Sequence, residues 1–318
     1  MPELKTESLI SRLRSEDAAE RRFALAEASE GFYEIPVKEL LPLLHDEDAV
    51  VRRLTVGLLE EFGNAEALPE LINATSDENT AVAEAAQTAL REFRTPDALP
   101  FLLTGLGHSH AETRAAVIVA LREFRDAEAA EALRKALKDD SPTVRREALI
   151  ALAYLRDADH LSAIWPLLKD PNADVRRITV GVVSFFPDLV PASELSGTLC
   201  DSDWQVRKEA AIALSRFHSD EATALLVRAL EDEYWQVLKE AIQSLGKSRA
   251  KVPHHIRPYL SHAVADVRIA SAAALGEIGA AECLGDLKSL LEDQDTGVQK
   301  AARRALEQIT STSSRTSS

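Results

Sequence analysis

An all-α solenoid is the fold class this sequence predicts, and three observations carry it. The stretch Asp201-Ser-Asp-Trp-Gln-Val-Arg-Lys-Glu-Ala210 returns in varied form every 31 residues through nearly the whole chain. Around each return, leucines and alanines recur at helical spacing. No alternating Val/Ile/Thr run with hairpin glycines interrupts them. A length of 318 residues would ordinarily suggest two domains. A repeat this extensive overrides that prior, because stacked repeats share one continuous core. The expected organisation is a single domain over 1–310 and a disordered Ser/Thr-rich tail over 311–318, which lacks apolar residues.

With Val206 as the phase marker, the matching positions are Glu20, Val51, Val82, Thr113, Val144, Val175, Val206, Val237, Val267 and Val298. Every step is 31 residues except one of 30, from Val237 to Val267. About ten units follow, each of two helices. Eleven residues before the marker stand Leu9, Leu40, Leu71, Leu102, Leu133, Ile164, Leu195, Leu226, Ile256 and Leu287. A second leucine column lies four residues further on, so both occupy one face of a first helix. After the marker, small residues at +4 (Ala86, Ala148, Ala210, Ala241, Ala302) and leucines at +8 continue the stripe of a second helix. Between the helices, Asp17, Asp48, Asp203 and Asp295 stand where a carboxylate caps the second helix. Ser141 before Pro142 fits an N-cap followed by proline at the first helical position. Hairpins this short cannot bury their stripes alone, so stacking must complete the core.

The pattern Asp-x-x-x-x-Val-Arg-x-x-Ala, as in Asp201 to Ala210 and Asp170 to Thr179, resembles the HEAT repeat over roughly residues 5–310. It is similar to the short variety found in E/F-type phycobilin lyases and many bacterial HEAT proteins. The resemblance implies a right-handed α-solenoid with its second helices on the concave side. It also implies a ladder of aspartates (Asp46, Asp77, Asp139, Asp170, Asp201, Asp232, Asp293) and arginines (Arg21, Arg52, Arg114, Arg145, Arg176, Arg207, Arg268) along the stack. Ala83, Leu238 and Gln299 lack the arginine, and His108 and His262 replace the aspartate. Looser or reshaped junctions are expected there.

Charge and composition narrow the function classes. The formal charge is −15, with 52 acidic against 37 basic residues, which disfavours nucleic acid and anionic membrane as partners. Cys200 and Cys283 are too few for a disulfide framework, so a cytoplasmic location is expected. The start, MPELKTESLISRLRSED, has no apolar run like a signal peptide. No stretch approaches the ~20 apolar residues of a membrane span. No His-Glu dipeptide is present, which removes a resemblance to the iron enzyme deoxyhypusine hydroxylase. HExxH, paired CxxC and P-loop patterns are also missing. His108 and His110 would bind a metal only with a third ligand, and they read as loop residues. No catalytic, cofactor or metal site is expected.

Three features suggest a binding surface instead. A basic column two residues after the marker includes Arg146, Arg177, Lys208 and Lys239. It reads either as a solvated row neutralised by Glu147, Glu209 and Glu240, or as a seat for an acidic partner. Beside it, the +5 and +6 positions are apolar, among them Ile150 and Ile212, and on helical phase they face inward. Two before the marker most units carry Ala, Thr or Pro, but Trp204 and Trp235 take that place in two adjacent units, with Tyr234 beside the latter. These rings read as binding anchors standing side by side, or as local lids over capping aspartates. The irregular unit at Lys247–Arg257, where the period slips, adjoins them. The expectation is a non-catalytic scaffold or assembly factor gripping a protein with an acidic or amphipathic-helical surface. The alternatives are a phycobilin lyase-like protein attaching or detaching a tetrapyrrole, as the resemblance implies, and a metallocluster-assembly chaperone.

Overall fold

A computed structural model describes residues 2–31, 33–124 and 126–316. Among them every regular element is helical. The chain falls into two compact units, 1–163 and 164–318. In the first, α1 (Pro2–Leu13) packs on α2 (Ala18–Glu30), and α3 (Val37–Leu40) on α4 (Ala49–Phe62). The same pairing joins α5 (Leu68–Ala74) to α6 (Thr80–Ala89), α7 (Leu99–Gly105) to α8 (Ala111–Leu121), and α9 (Ala127–Ala136) to α10 (Pro142–Leu155). After α11 (Leu161–Ile164), the second unit sets a 3-10 turn, Trp165–Lys169, against α12 (Ala173–Val183). Another such turn, Thr198–Cys200, lies against α13 (Trp204–Leu214). Then α14 (Asp220–Ala229) pairs with α15 (Trp235–Lys247), α16 (Pro253–Ile256) with α17 (Ala265–Ile278), and α18 (Leu284–Ser289) with α19 (Thr296–Thr316).

The sequence columns become the core. All ten residues of the first leucine column are at most 1% exposed, and the +4 alanines named above are fully buried. The markers from Val51 to Val298 are buried as well, whereas Glu20, in the first hairpin, is exposed. Alanine at +4 lets neighbouring second helices approach, and glycine allows more. A Cβ on Gly246 of α15 would lie 2.8 Å from the Ala274 Cα of α17, and one on Gly276 equally close to Ala305 of α19. In the second unit each second helix therefore packs on the next, from α12 to α19. In the first unit α2 packs on α4, α4 on α6, and α8 on α10. The pair α6 and α8 lacks such packing, and these two hairpins meet through α5 against α7 and α8.

The joints follow one chemical plan. Asp48 accepts hydrogen bonds from the amides of Val50 and Val51, and Asp203 from Gln205, as N-caps. Ser141 holds the N-cap position before Pro142, but its hydroxyl makes no capping bond. The ladder runs between hairpins. Arg176 donates to both carboxylate oxygens of Asp201 at 2.6 and 2.7 Å, and its remaining nitrogen donates to the Asp170 carbonyl at 2.8 Å. Asp201 in turn accepts the Asp203 amide at 2.9 Å, folding its own turn. Corresponding rungs join Arg21 to Asp46, Arg52 to Asp77, Arg114 to Asp139, Arg207 to Asp232 and Arg268 to Asp293. Each of these six arginines thus binds the aspartate of the following hairpin.

Where a rung is lost, both partners change together. Ala83 lacks the arginine and His108 stands where its aspartate would be; Leu238 and His262 repeat the exchange. A charge left alone at either place would be costly, and paired replacement avoids it. Neutral bridges take over: Thr75 and Thr113 hydrogen-bond at 2.9 Å in the core, and the Tyr259 hydroxyl donates to the Leu230 carbonyl at 2.6 Å. Gln299, in the last hairpin, keeps half the arginine's role by donating to the Asp293 carbonyl. The helix α19 continues through the stretch expected to be a disordered tail as far as Thr316, propagated from a side that buries Ala302, Ala305 and Ile309. Residues 317 and 318 lie outside the described ones.

Two outcomes are expected. Arg176→Ala leaves Asp201 unpaired in a part-buried joint and should lower unfolding free energy by about 3 kcal/mol; Arg53→Ala, at an exposed position, should change it by less than about 0.5 kcal/mol. Chemical denaturation of both variants checks the contrast. Second, the guanidinium groups of Arg114 and Arg268 hold the carboxyls of Asp139 and Asp293 below the usual range. Their stabilisation is complete above the unfolded value of about 4 and is lost as pH falls through the lower folded values. Thermal melts should therefore drop most steeply below pH ~4.

Candidate partner-binding surface

The aromatic residues sit on joints of the second unit. Trp204 is the first residue of α13, behind the capping Asp203, and Trp235 opens α15 behind Tyr234. The Asp232 carboxylate accepts the Tyr234 amide, which fixes that turn. The ring of Trp204 stacks on Tyr234, with centroids 5.8 Å apart and planes 6° from parallel. Of the two readings of these rings, one set the tryptophans side by side; the ring stacked on Trp204 is that of Tyr234. Adjacent residues at a helix start point in different directions, so Tyr234 reaches back along the joint while Trp235 lies down along its own helix.

Cations complete the cluster. The Lys208 ammonium lies 5.6 Å from the Trp204 ring centre and Lys239 lies 5.8 Å from that of Trp235, each one helical turn on. Arg207 lies 5.3 Å from the Tyr234 ring centre while paired with Asp232, whose hydrogen bond holds the guanidinium pKa above its ordinary value. Tyr234 therefore covers a ladder rung and still leaves 41% of its surface exposed. Lid and exposed aromatic surface coexist at this residue.

The basic column is largely neutralised. Arg146 bonds Glu147 at 2.8 Å, Arg177 bonds Asp174 at 3.2 Å, and Lys239 reaches Asp266 at 3.2 Å. Among the described residues Lys208 makes no carboxylate pair, and its ammonium lies over the Trp204 ring. The apolar strip is narrower than the sequence suggested. At +5, Val56, Ile118, Leu149, Val180 and Ala211 are buried, while Ile150 and Ile212 at +6 are half-buried. A step of one residue turns the helix by ~100°, enough to separate the packed row from the solvent-facing one. Arg146 and Ile150 belong to α10 in the first unit; the other seven residues belong to the second.

Two further exposed residues escaped the sequence reading. Phe185 is 61% exposed under the Arg216 guanidinium, 4.4 Å from the ring centre, and Leu189 beyond it is 59% exposed. The signal was the doublet Phe185-Phe186, since one phenylalanine at +11 suffices for the core. The slipped segment near residue 250 carries the His254 and His255 rings, their centres 4.0 Å apart and their planes tilted by 44°, and a left-handed Arg249. It brings none of the nine candidate residues together. Among the described residues no group of three or more metal-ligating side chains occurs, and no helix is long and apolar enough to cross a membrane.

Known structures share this architecture. An engineered protein is 21% identical with a TM-score of 0.52, covering 96% of this chain and 98% of its own. YibA of Escherichia coli is 20% identical with a TM-score of 0.50, covering 93% and 99%. A chain from a structure in which Kap95p binding induces the switch loops of RanGDP to adopt the GTP-bound conformation is 14% identical with a TM-score of 0.64. The match covers 96% of this protein and 48% of that chain, so this protein spans about half its length. No curated protein matches the sequence. The family described as HEAT repeats matches residues 37–122, 99–182, 193–254 and 252–317. With paired helices, a joint ladder and matches over most of its length, the chain belongs to the HEAT-repeat family.

Proposed function

We propose that this protein is a non-catalytic interaction scaffold whose second-helix face and joints bind a partner protein. The observation that carries this is the Trp204–Tyr234–Trp235 cluster. Trp204 and Trp235 occupy joint positions where other hairpins carry Ala49, Ala111, Pro142 or Ala173, so the fold itself does not require them. Half-exposed aromatic residues flanked by cations are suited to act as anchors in a desolvated contact. Lys208, with a ring as its partner, supplies a positive charge for a carboxylate on the partner. Half-buried Ile212 adds apolar area suited to an amphipathic helix. The partner is therefore an acidic or amphipathic-helical protein surface. Arg177 and Lys239 would contribute once their own carboxylates, Asp174 and Asp266, exchange partners. Kap95p, which shares the fold, binds RanGDP; that precedent supports the scaffold class and no particular partner. Neither the E/F-type lyase role nor the metallocluster-chaperone role has a comparable cluster in its favour.

A pull-down from native lysate with the full chain tests this reading. Trp204→Ala/Trp235→Ala should stay folded, since alanine serves at equivalent joints, and should weaken capture of the principal partner roughly 30-fold, as expected for lost anchor residues. Lys208→Glu should weaken it less, with a shallower dependence on salt. Undiminished capture by the double tryptophan variant would remove the cluster from the site. Binding of a bilin to the purified protein, seen as a shifted visible spectrum, would favour the lyase-like role instead.

A further inference from the structure

The junction between the third and fourth hairpins combines three departures from the ladder plan. No Arg–Asp rung crosses it, because Ala83 faces His108. Its second helices, α6 and α8, lack the lengthwise packing of their neighbours. Its turn is closed by an imidazole: His108 Nδ1 accepts the His110 amide at 3.1 Å, in place of the carboxylate oxygen used at Asp46, Asp77, Asp139 and Asp201.

An imidazole does this only while neutral and protonated on Nε2. Protonating Nδ1 turns the acceptor into a donor facing another donor. The surrounding charges oppose protonation. On the same joint, the His110 ring lies 5.3 Å away, and Arg114 donates to the His108 carbonyl. The carboxylates of adjacent joints are committed elsewhere, Asp139 to Arg114 and Asp77 to Arg52. Accordingly burial, and then His110, holds the His108 pKa below its usual value. A depressed histidine contributes stability above the unfolded value of about 6.5, and that stability is lost as pH falls through the folded value.

We propose that this junction is an acid-sensitive joint, in which protonation of His108 releases the turn before α8 and loosens the third hairpin from the fourth. What still holds them is the Thr75–Thr113 hydrogen bond and the contacts of α5 with α7 and α8. The second rungless junction provides an internal control. His262 Nδ1 accepts the Val264 amide at 3.0 Å in the same way. There, however, the close approach of Gly246 to Ala274 packs α15 on α17, and the Tyr259 hydroxyl bonds the preceding hairpin. Losing the imidazole acceptor leaves that junction closed.

Hydrogen exchange of the full chain at pH 7.5 and 5.5, corrected for intrinsic rates, tests the joint. Peptides covering 80–90 and 108–121 should lose protection by roughly fivefold at the lower pH, the scale of one hydrogen bond, while 262–278 stays unchanged. His108→Asn retains a side-chain acceptor that does not titrate, and it should abolish most of that response. A response equal in all hairpins, or one that persists in His108→Asn, would overturn the proposal. Independently, 15N NMR of the unmutated protein at pH 7.5 should show His108 protonated on Nε2 alone; a proton on Nδ1 would equally overturn it.

Discussion

The guanidinium–carboxylate rung is the contact on which the arrangement of hairpins depends. A single arginine spends two nitrogens on the aspartate of the next hairpin and a third on a carbonyl of its own joint. That aspartate simultaneously holds the turn that starts its own second helix. Hydrophobic stripes drive stacking, but they are non-directional and tolerate sliding. The planar fork tolerates little, because both of its bonds to the carboxylate must form together. Register between neighbours is thus fixed by polar geometry over a core made almost wholly of leucine, valine and alanine.

The same economy explains where the ladder is allowed to fail. An arginine without its aspartate would be a part-buried charge without compensation, and an aspartate without its arginine would be the reverse. Ala83 with His108, and Leu238 with His262, remove both charges and keep the turn by using a ring nitrogen as acceptor. The two sites then diverge in packing. Glycine against alanine draws α15 and α17 together, whereas α6 and α8 have no such contact. One broken ladder position is therefore reinforced and the other is left compliant.

The aromatic cluster exploits positions the fold leaves spare. The residue two before each marker lies at the start of a second helix and is nowhere fully buried, so alanine, threonine or proline usually suffices. Two consecutive hairpins place tryptophan there, and Tyr234 joins Trp204 in a stack that also shields the Arg207–Asp232 rung. An acidic molecule thereby displays a local aromatic and cationic patch, with its lysines held over ring faces rather than dispersed in solvent. For the proposed partner such a patch would be more selective than net charge, since both rings and ammonium groups would have to be satisfied.

Sequence alone determined the helical hairpins, their period and their core, because a stripe repeated ten times has one way to bury itself. The leucine and alanine columns, the capping aspartates at Asp48 and Asp203 and the loss of rungs at Ala83 and Leu238 were all legible, as each depends on local spacing. Pairing across hairpins was foreshadowed only as a ladder that the resemblance implied, without the partner of each group. That Arg176 reaches forward to Asp201, that Trp204 stacks on Tyr234 rather than beside Trp235, and that Leu149 is buried while Ile150 is not are set by the rotation of one helix against the next. So is the contrast between the junctions at His108 and His262, whose sequence exchanges look alike. Linear periodicity specifies which face of a helix is apolar; only packing in three dimensions decides which neighbour that face meets and how closely.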